Sequence, residues 1–108
     1  MMLNEKRKQL PIGSVVNIHN ESTDIAIIGQ FPVIEKDNVK GYYDFSGVVL
    51  PIGFDSENII LFNKEDISEI RFLGYIDLKF QKFLSKAEDF EKTTELKKLK
   101  VVEQDNDK

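Results

Sequence analysis

The sequence predicts an α+β domain in which a small twisted antiparallel sheet, able to curl towards a barrel, is covered by a C-terminal amphipathic helix. Short runs of β-branched and aromatic residues, separated by turn-forming residues, continue to about residue 76 and predict roughly four or five strands. Residues 77–92 instead carry apolar side chains at helical spacing. The chain has 108 residues, 41% of them hydrophobic, which is enough for a single core.

We divide the chain into three parts on this basis. Residues 1–9 are polar and are expected to be disordered, as chain termini often are. Residues 10–92 form the single α+β domain. Residues 93–108 form a tail that is weakly helical to disordered, and its last part, 104–108, should be disordered.

The first predicted element is a hairpin that joins strands at residues 14–19 and 25–29. Val16 and Ile18 share one face of the first strand, and the turn-forming residues 20–24 connect it to the second. Residues 31–34 extend the second strand. Because Pro32 has no N–H to donate, the strand must bend there or lie at a sheet edge.

The densest apolar run, residues 42–50, is predicted to be the central strand. A polar loop at residues 35–41, with a turn at Asp37 and Asn38, precedes it, and a second polar loop at 51–58 follows. Its odd-numbered residues, 43–49, are expected to face the core. Tyr42 and Asp44 belong to the opposite, more polar face.

A short strand is predicted at residues 59–62, followed by one helical turn with Asn63 as its N-cap. Acidic residues in the first turn fit the helix dipole, and Ile67 and Ile70 are spaced so that one turn can bury both. A strand pattern resumes at residues 71–76.

The C-terminal helix is predicted to be capped by Asp77 and to carry one apolar stripe, with a weaker continuation at Leu96 and Leu99. The stripe consists of Phe80, Phe83, Leu84, Ala87 and Phe90. The residues predicted to be buried are Val16, Ile18, Ile25, Ile27, Phe45, Val49, Ile60, Phe62, Phe72, Phe80, Phe83 and Leu84.

The sequence contains no motif that predicts catalysis, so we expect neither enzyme activity nor a cofactor. Its glycines are scattered singly, no serine lies in a Gly-x-Ser-x-Gly elbow, and cysteine is absent. His19, the only histidine, is interpreted as a surface residue at a strand end. A metal site would have to combine it with the carboxylates of Glu65, Asp66 and Glu69, of which the first two are explained by their place at a helix start.

The charge and hydropathy of the chain limit its partners and location. A formal net charge of −4 argues against binding to nucleic acid. No apolar run approaches the roughly 20 residues that span a bilayer, and the charged start of the chain is unlike a signal peptide. We therefore expect a cytoplasmic protein without a membrane partner.

Another protein is the predicted partner, and the end of the helix is the predicted contact. Phe90, Leu96 and Leu99 are apolar but lie beyond the length that a short sheet can cover at 1.5 Å of rise per residue. If that end does not bind, Tyr42 and Asp44 on the polar face of the central strand are the next residues to test. Self-association is left open.

Five stretches, taken in order, resemble the DUF4176 family over about residues 10–84. They are Leu-Pro-Ile-Gly-Ser-Val-Val at 10–16, Ile-Ile-Gly at 27–29, Tyr-Asp-Phe-Ser-Gly-Val-Val-Leu-Pro-Ile-Gly at 43–53, Phe-Asn-Lys-Glu-Asp-Ile at 62–67 and Phe-Leu-Gly-Tyr at 72–75.

The resemblance implies a function without implying catalytic residues. Members of the family occur in Firmicutes beside type VII secretion genes, often near toxins with an N-terminal LXG domain. The implied role is a cytoplasmic chaperone or targeting adaptor that binds an LXG-type effector or another small helical secretion protein. The alternative is an immunity protein that neutralises a secreted toxin.

Overall fold

The computed structural model describes residues 8–101, which form two β-sheets and one α-helix. Within that range the elements are β1 (Val15–Ile18), β2 (Ile25–Gln30), β3 (Val33–Lys36), β4 (Val39–Tyr42), β5 (Phe45–Val49), β6 (Ile60–Phe62), a 3₁₀ helix (Lys64–Asp66), β7 (Ile67–Phe72), α1 (Leu78–Thr93) and β8 (Lys97–Lys98).

The larger sheet has five antiparallel strands in the order β6-β5-β2-β1-β7. The smaller sheet has the order β3-β4-β8, in which β3 and β4 are antiparallel and β8 runs parallel to β4. The predicted α+β class with a C-terminal helix is confirmed. Over residues 8–101 the strands do not close into a barrel, since β6 and β7 remain the edges of the larger sheet.

The first hairpin and the bend at Pro32 are confirmed. β1 pairs antiparallel with β2, with Val16 opposite Ile25. Phe31 has a positive φ of 50°, and after Pro32 the chain enters the smaller sheet, where β3 lies at the edge. An edge position suits a segment that contains proline, because no second neighbour needs its missing N–H.

The predicted central strand is wrong, because residues 42–50 are divided between the two sheets. β4 ends at Tyr42 and β5 begins at Phe45. The break lies beside the Phe31 bend, where the N–H of Phe31 donates to the Asp44 carbonyl and the N–H of Tyr43 donates to the Pro32 carbonyl. The two antiparallel neighbours therefore turn together from one sheet into the other.

The predicted polar loop at residues 35–41 is a hairpin instead. Asp37 and Asn38 form its turn as expected, and both have positive φ, which is typical of a two-residue hairpin turn. β3 and β4 continue up to that turn and pair throughout. Their polar composition fits a small sheet whose outer strand faces solvent.

The hydrophobic core lies on one face of the larger sheet. Six predicted residues belong to it, and Ile67 completes the set; they are Val16, Ile18, Ile25, Ile27, Phe45 and Phe62. Others on the predicted list are only half-buried, namely Val49, Ile60, Phe80, Phe83 and Leu84. The predicted alternation of residues 42–49 is wrong, since the even-numbered Tyr42, Asp44 and Val48 are also buried.

Phe72 is the clearest error in the predicted core, because 61% of its surface is exposed. β7 contains two register shifts against β1, so that Phe72 lies opposite Val15 rather than joining the Val16 row. Opposed residues share a sheet face, and Val15 points away from the core. The predicted helical turn through Ile70 is also wrong, since the 3₁₀ helix ends at Asp66 and β7 starts at Ile67.

Helix α1 matches its predicted boundaries and packs on the bend between the sheets. Asp77 is its N-cap and accepts a 2.9 Å hydrogen bond from the N–H of Phe80. The rings of Phe83 and Phe90 contact Phe31. The core cluster of the larger sheet draws no member from this helix.

The predicted tail contributes to the fold. Where a weak helical continuation was expected, the chain forms β8, and Val101 packs against the core cluster. Gln9, placed in the disordered N-terminus, is buried and donates to the Asp44 carbonyl. The remaining expectations of disorder, for residues 1–7 and 104–108, lie outside the described residues.

Candidate functional site

A buried carboxylate occupies the break between β4 and β5. Asp44 is completely buried, and its Oδ2 accepts a 2.8 Å hydrogen bond from the N–H of Lys64. The same oxygen lies 3.0 Å from Nζ of Lys98. Its Oδ1 is buried without a hydrogen-bond partner among residues 8–101. The 3₁₀ helix and β8 therefore both converge on Asp44.

Asn63 connects the same elements through its side-chain amide. Its Oδ1 accepts a 2.9 Å hydrogen bond from the N–H of Asp44, and its Nδ2 donates to the Leu99 carbonyl over 2.7 Å. Asn63 occupies the predicted N-cap, and Oδ2 of Asp66 accepts from its backbone N–H. The buried amide thus holds three segments of the chain together.

Lys98 lies between two carboxylates, and the pKa values reflect this. Burial acts to lower the pKa of Lys98, but its contacts with Asp44 and Glu65 outweigh burial and raise it. For Glu65, burial acts to raise the pKa, whereas hydrogen bonds and the positive charge of Lys98 lower it overall. The pKa of Tyr42 is raised, first by burial and then by the charge of Asp44. The carboxylates of Asp44 and Glu65 therefore form a site that holds the Lys98 ammonium group by electrostatic attraction.

The residues considered for a metal site, His19, Glu65, Asp66 and Glu69, do not come together in one cluster. Nε2 of His19 lies 3.0 Å from Oδ1 of Asp66, and Glu69 pairs with Arg71. His19 is exposed at the end of β1, as predicted. In the part of the chain that the structure describes, no three His, Asp or Glu side chains form a group that could hold a metal ion.

The residues predicted to contact a partner are less accessible than expected. Tyr42 and Asp44 are buried, and Phe90 is half-buried with its ring centroid 4.7 Å from that of Phe31 and 5.2 Å from that of Tyr42. Leu96 and Leu99 are also half-buried, because the chain turns back after α1 and pairs with β4. The expected exposure is therefore wrong, whereas contact with a partner at these positions stays a prediction.

An exposed apolar surface lies elsewhere, between the end of β7 and the start of α1. Sequence reasoning missed it by treating residues 71–76 as a strand with Phe72 buried. The available signal was a run of apolar residues at both odd and even positions directly before the helix cap. Successive residues of a strand point to opposite faces, so one sheet face cannot bury them all. We call this the 72–78 surface; it consists of Phe72, Leu73, Tyr75, Ile76 and Leu78, together with Ile12.

Gly74 holds this surface against the body of the protein. Its N–H donates a 3.0 Å hydrogen bond to Oγ of Ser14. A Cβ at this position would collide with the Ile12 carbonyl oxygen, so only glycine permits the close approach of the two segments. Ile12 is therefore placed next to residues 73–75.

A cleft of about 290 Å³ lies beside β7, close to the lower size limit of small-molecule sites. It is lined by Lys8, Gln9, Leu10, Lys64, Ile67 and Ile70. Three of these side chains, Lys8, Gln9 and Lys64, are polar or charged.

Comparison with known proteins identifies the family of the chain. A family model described as a domain of unknown function, DUF4176, matches residues 9–83. No curated protein and no solved structure matches the chain. Among residues 8–101, no helix has the length and apolar character needed to cross a membrane. The match includes Asp44, Asn63 and the whole 72–78 surface, and the chain belongs to the DUF4176 family.

Proposed function

We propose that this protein is a non-catalytic cytoplasmic accessory factor, a chaperone or targeting adaptor that binds an LXG-type effector of a type VII secretion system. The secretion context comes from the resemblance described above. The observation that supports a binding role is the 72–78 surface, where five large apolar side chains are exposed on a segment that Gly74 holds beside the exposed Ile12.

The composition of this surface favours a protein partner. Tyr75 and Leu78 are 77% and 69% exposed, and Phe72 adds a second aromatic ring. Groups of exposed apolar side chains commonly mark protein interfaces, and aromatic side chains often supply much of the binding energy. Tyr42 and Asp44, by contrast, are buried.

The surroundings of the surface indicate the kind of partner segment. Lys79 is exposed at one end of it, and at the other end Arg71 is exposed but pairs with Asp24 and Glu69. An amphipathic helix with an apolar stripe and flanking acidic residues would complement it. The helical region of an LXG effector is the occupant that we propose.

This function is tested by co-expressing the protein with each of two regions of a toxin encoded beside it, the N-terminal LXG region and the C-terminal toxic region. We expect the N-terminal LXG region to co-purify with the unaltered chain, and Tyr75→Glu or Leu78→Glu to reduce capture at least about tenfold because a charge enters the apolar contact. Ile52→Glu is the matched control, since Ile52 is equally exposed but lies in the loop after β5. Capture of the C-terminal toxic region instead would overturn the adaptor role and favour the immunity role.

A further inference from the structure

We propose that the edge of β4 opposite β3, with Asp44, Asn63 and Glu65, is a binding slot for an extended peptide in which lysine precedes leucine. In the resting molecule the chain's own Lys98 and Leu99 occupy it. The ligand is an extended segment of another protein, and this slot is separate from the 72–78 surface.

The backbone of the occupying segment is recognised on both sides. The N–H of Leu99 donates a 2.8 Å hydrogen bond to the Tyr42 carbonyl, and its carbonyl accepts from Nδ2 of Asn63 over 2.7 Å. The hydroxyl of Tyr43 donates to the Lys100 carbonyl over 3.3 Å. Strand addition to a sheet edge uses main-chain contacts of this type to supply affinity.

Two side-chain contacts give the slot its specificity. Nζ of Lys98 reaches the fully buried Asp44 at 3.0 Å and Glu65 at 3.1 Å, so a neutral or acidic residue there would leave a buried charge unpaired. Leu99 fills the space above Gly41, where an added Cβ would approach within 2.7 Å of Cγ of Leu99. A lysine followed by a leucine satisfies both contacts.

The occupying segment has the features of a replaceable ligand. β8 contains only two residues and pairs with β4 at only two positions. The family match at residues 9–83 contains every slot residue but stops before the segment that fills the slot. In this chain the matched region thus carries the slot, while the segment that occupies it lies outside that region.

A peptide competition on the full chain tests the proposal. The Lys98→Ala/Leu99→Ala double variant weakens the tethered occupant and leaves the slot residues unchanged. A fluorescent peptide of residues 95–101 should bind this variant at least about tenfold more tightly than it binds the unaltered chain, in which the tethered segment competes at an effective concentration of the order of millimolar. Fluorescence anisotropy measures both affinities.

Two further peptides of identical composition separate the slot from general charge attraction. Lys98→Glu removes the lysine that meets Asp44, whereas Lys100→Glu changes a residue that contributes only its carbonyl to the described contacts. The slot predicts that the Lys100→Glu peptide binds and that the Lys98→Glu peptide does not. Equal affinities for the two peptides, or no binding of the unmodified peptide to a folded double variant, would overturn the proposal.

Hydrogen exchange on the unaltered chain provides a second test that does not depend on folding of the double variant. The N–H of Leu99 should exchange at least about tenfold faster than the N–H of Ile27, a β2 residue that donates to the Ser14 carbonyl just before β1. This result would support opening of the slot by local release of β8. Equal exchange rates would mean that β8 leaves only when the whole protein unfolds, and a partner could not then use the slot.

Discussion

Oδ1 of Asn63 accepts a 2.9 Å hydrogen bond from the backbone N–H of Asp44, and this contact joins the break between the two sheets to the start of the 3₁₀ helix. Both residues are almost completely buried. Since the same amide also holds the Leu99 carbonyl, the position of β8 depends on a side chain that lies in a different part of the sequence.

Replacing Asn63 with alanine should destabilise the protein strongly. The change leaves the buried N–H of Asp44 and the Leu99 carbonyl without their partner, and we expect a loss of about 2–4 kcal/mol in the free energy of unfolding. Urea denaturation followed by circular dichroism measures this. Asn58→Ala is the control, since Asn58 is exposed and bonds only to Asp55 nearby; a similar loss in both variants would contradict the prediction.

Lys98→Met should destabilise the protein by about 1–3 kcal/mol, because it leaves Asp44 buried beside Glu65 without a cation. This range is below the cost for a fully buried pair, as the Lys98 side chain is 34% exposed. The neighbouring Lys97→Met removes the same charge from an exposed position. If the two variants unfold at the same urea concentration, the proposed energetic role of the ion pair is wrong.

The contribution of Glu65 should depend on pH in a defined direction. Its pKa is lowered in the folded protein from the reference value of 4.5, so its contribution is present above that value and is lost as pH falls through the folded pKa. The stability difference between the unaltered chain and Glu65→Gln should therefore be constant near neutral pH and shrink in acid. The pair is partly exposed, which limits this difference to about 1 kcal/mol.

The alkaline side has the opposite sign. Lys98 has a pKa raised above 10.5, so its contribution is present below that value and is lost as pH rises through the folded pKa. The coupling energy between Lys98 and Glu65 is measured by denaturing four chains at each pH. These are the unaltered protein, Lys98→Met, Glu65→Gln and the double variant Lys98→Met/Glu65→Gln. The stability change caused by Glu65→Gln should lose its dependence on acid pH in the Lys98→Met chain. If that dependence is unchanged there, Lys98 is not its cause.

Phe90→Ala should release the end of α1 from the bend at Phe31. The Phe90 ring contacts both Phe31 and Tyr42 but remains half-buried, so we expect a loss of about 2–3 kcal/mol, below the value for a fully buried phenylalanine. Leu78→Ala, at the exposed start of the same helix, should change stability by less than about 1 kcal/mol. Thermal unfolding measures both changes. Equal losses of stability in Phe90→Ala and Leu78→Ala would contradict the role assigned to the Phe90 contacts.

The same Leu78→Ala variant separates folding from binding. Leu78 belongs to the 72–78 surface, so the variant should remain folded while its capture of the effector falls. If the 72–78 surface is the interface, Phe90→Ala should show the converse pattern, with reduced stability and capture retained below its unfolding temperature. Loss of capture there would instead support the predicted partner contact at Phe90. If both Leu78→Ala and Leu78→Glu capture the effector normally, the 72–78 surface is not the interface.

Local patterns in the sequence were sufficient for the elements whose structure depends on near neighbours. The β1–β2 hairpin, the Asp37–Asn38 turn, the N-cap at Asn63 and helix α1 from its Asp77 cap all agree with prediction. Turn residues, caps and helical periodicity act over a few residues, so one segment contains the information for each. The α+β class and the family followed from the same short stretches.

Tertiary contacts decided the features that depend on residues far apart in the chain. Residues 42–50 have the composition of one strand, but the bend at Phe31 and the pairing across it divide them at Asp44. Two register shifts between β1 and β7 turn Phe72 away from the core and create the 72–78 surface. The sequence pattern placed Asp44 on a polar surface, yet Lys98 and Asn63 reach it from 54 and 19 positions further along the chain. Only the folded chain brings these groups together. A charged side chain can be buried only where oppositely charged and hydrogen-bonding partners surround it, and sequence spacing does not specify which distant residues these will be.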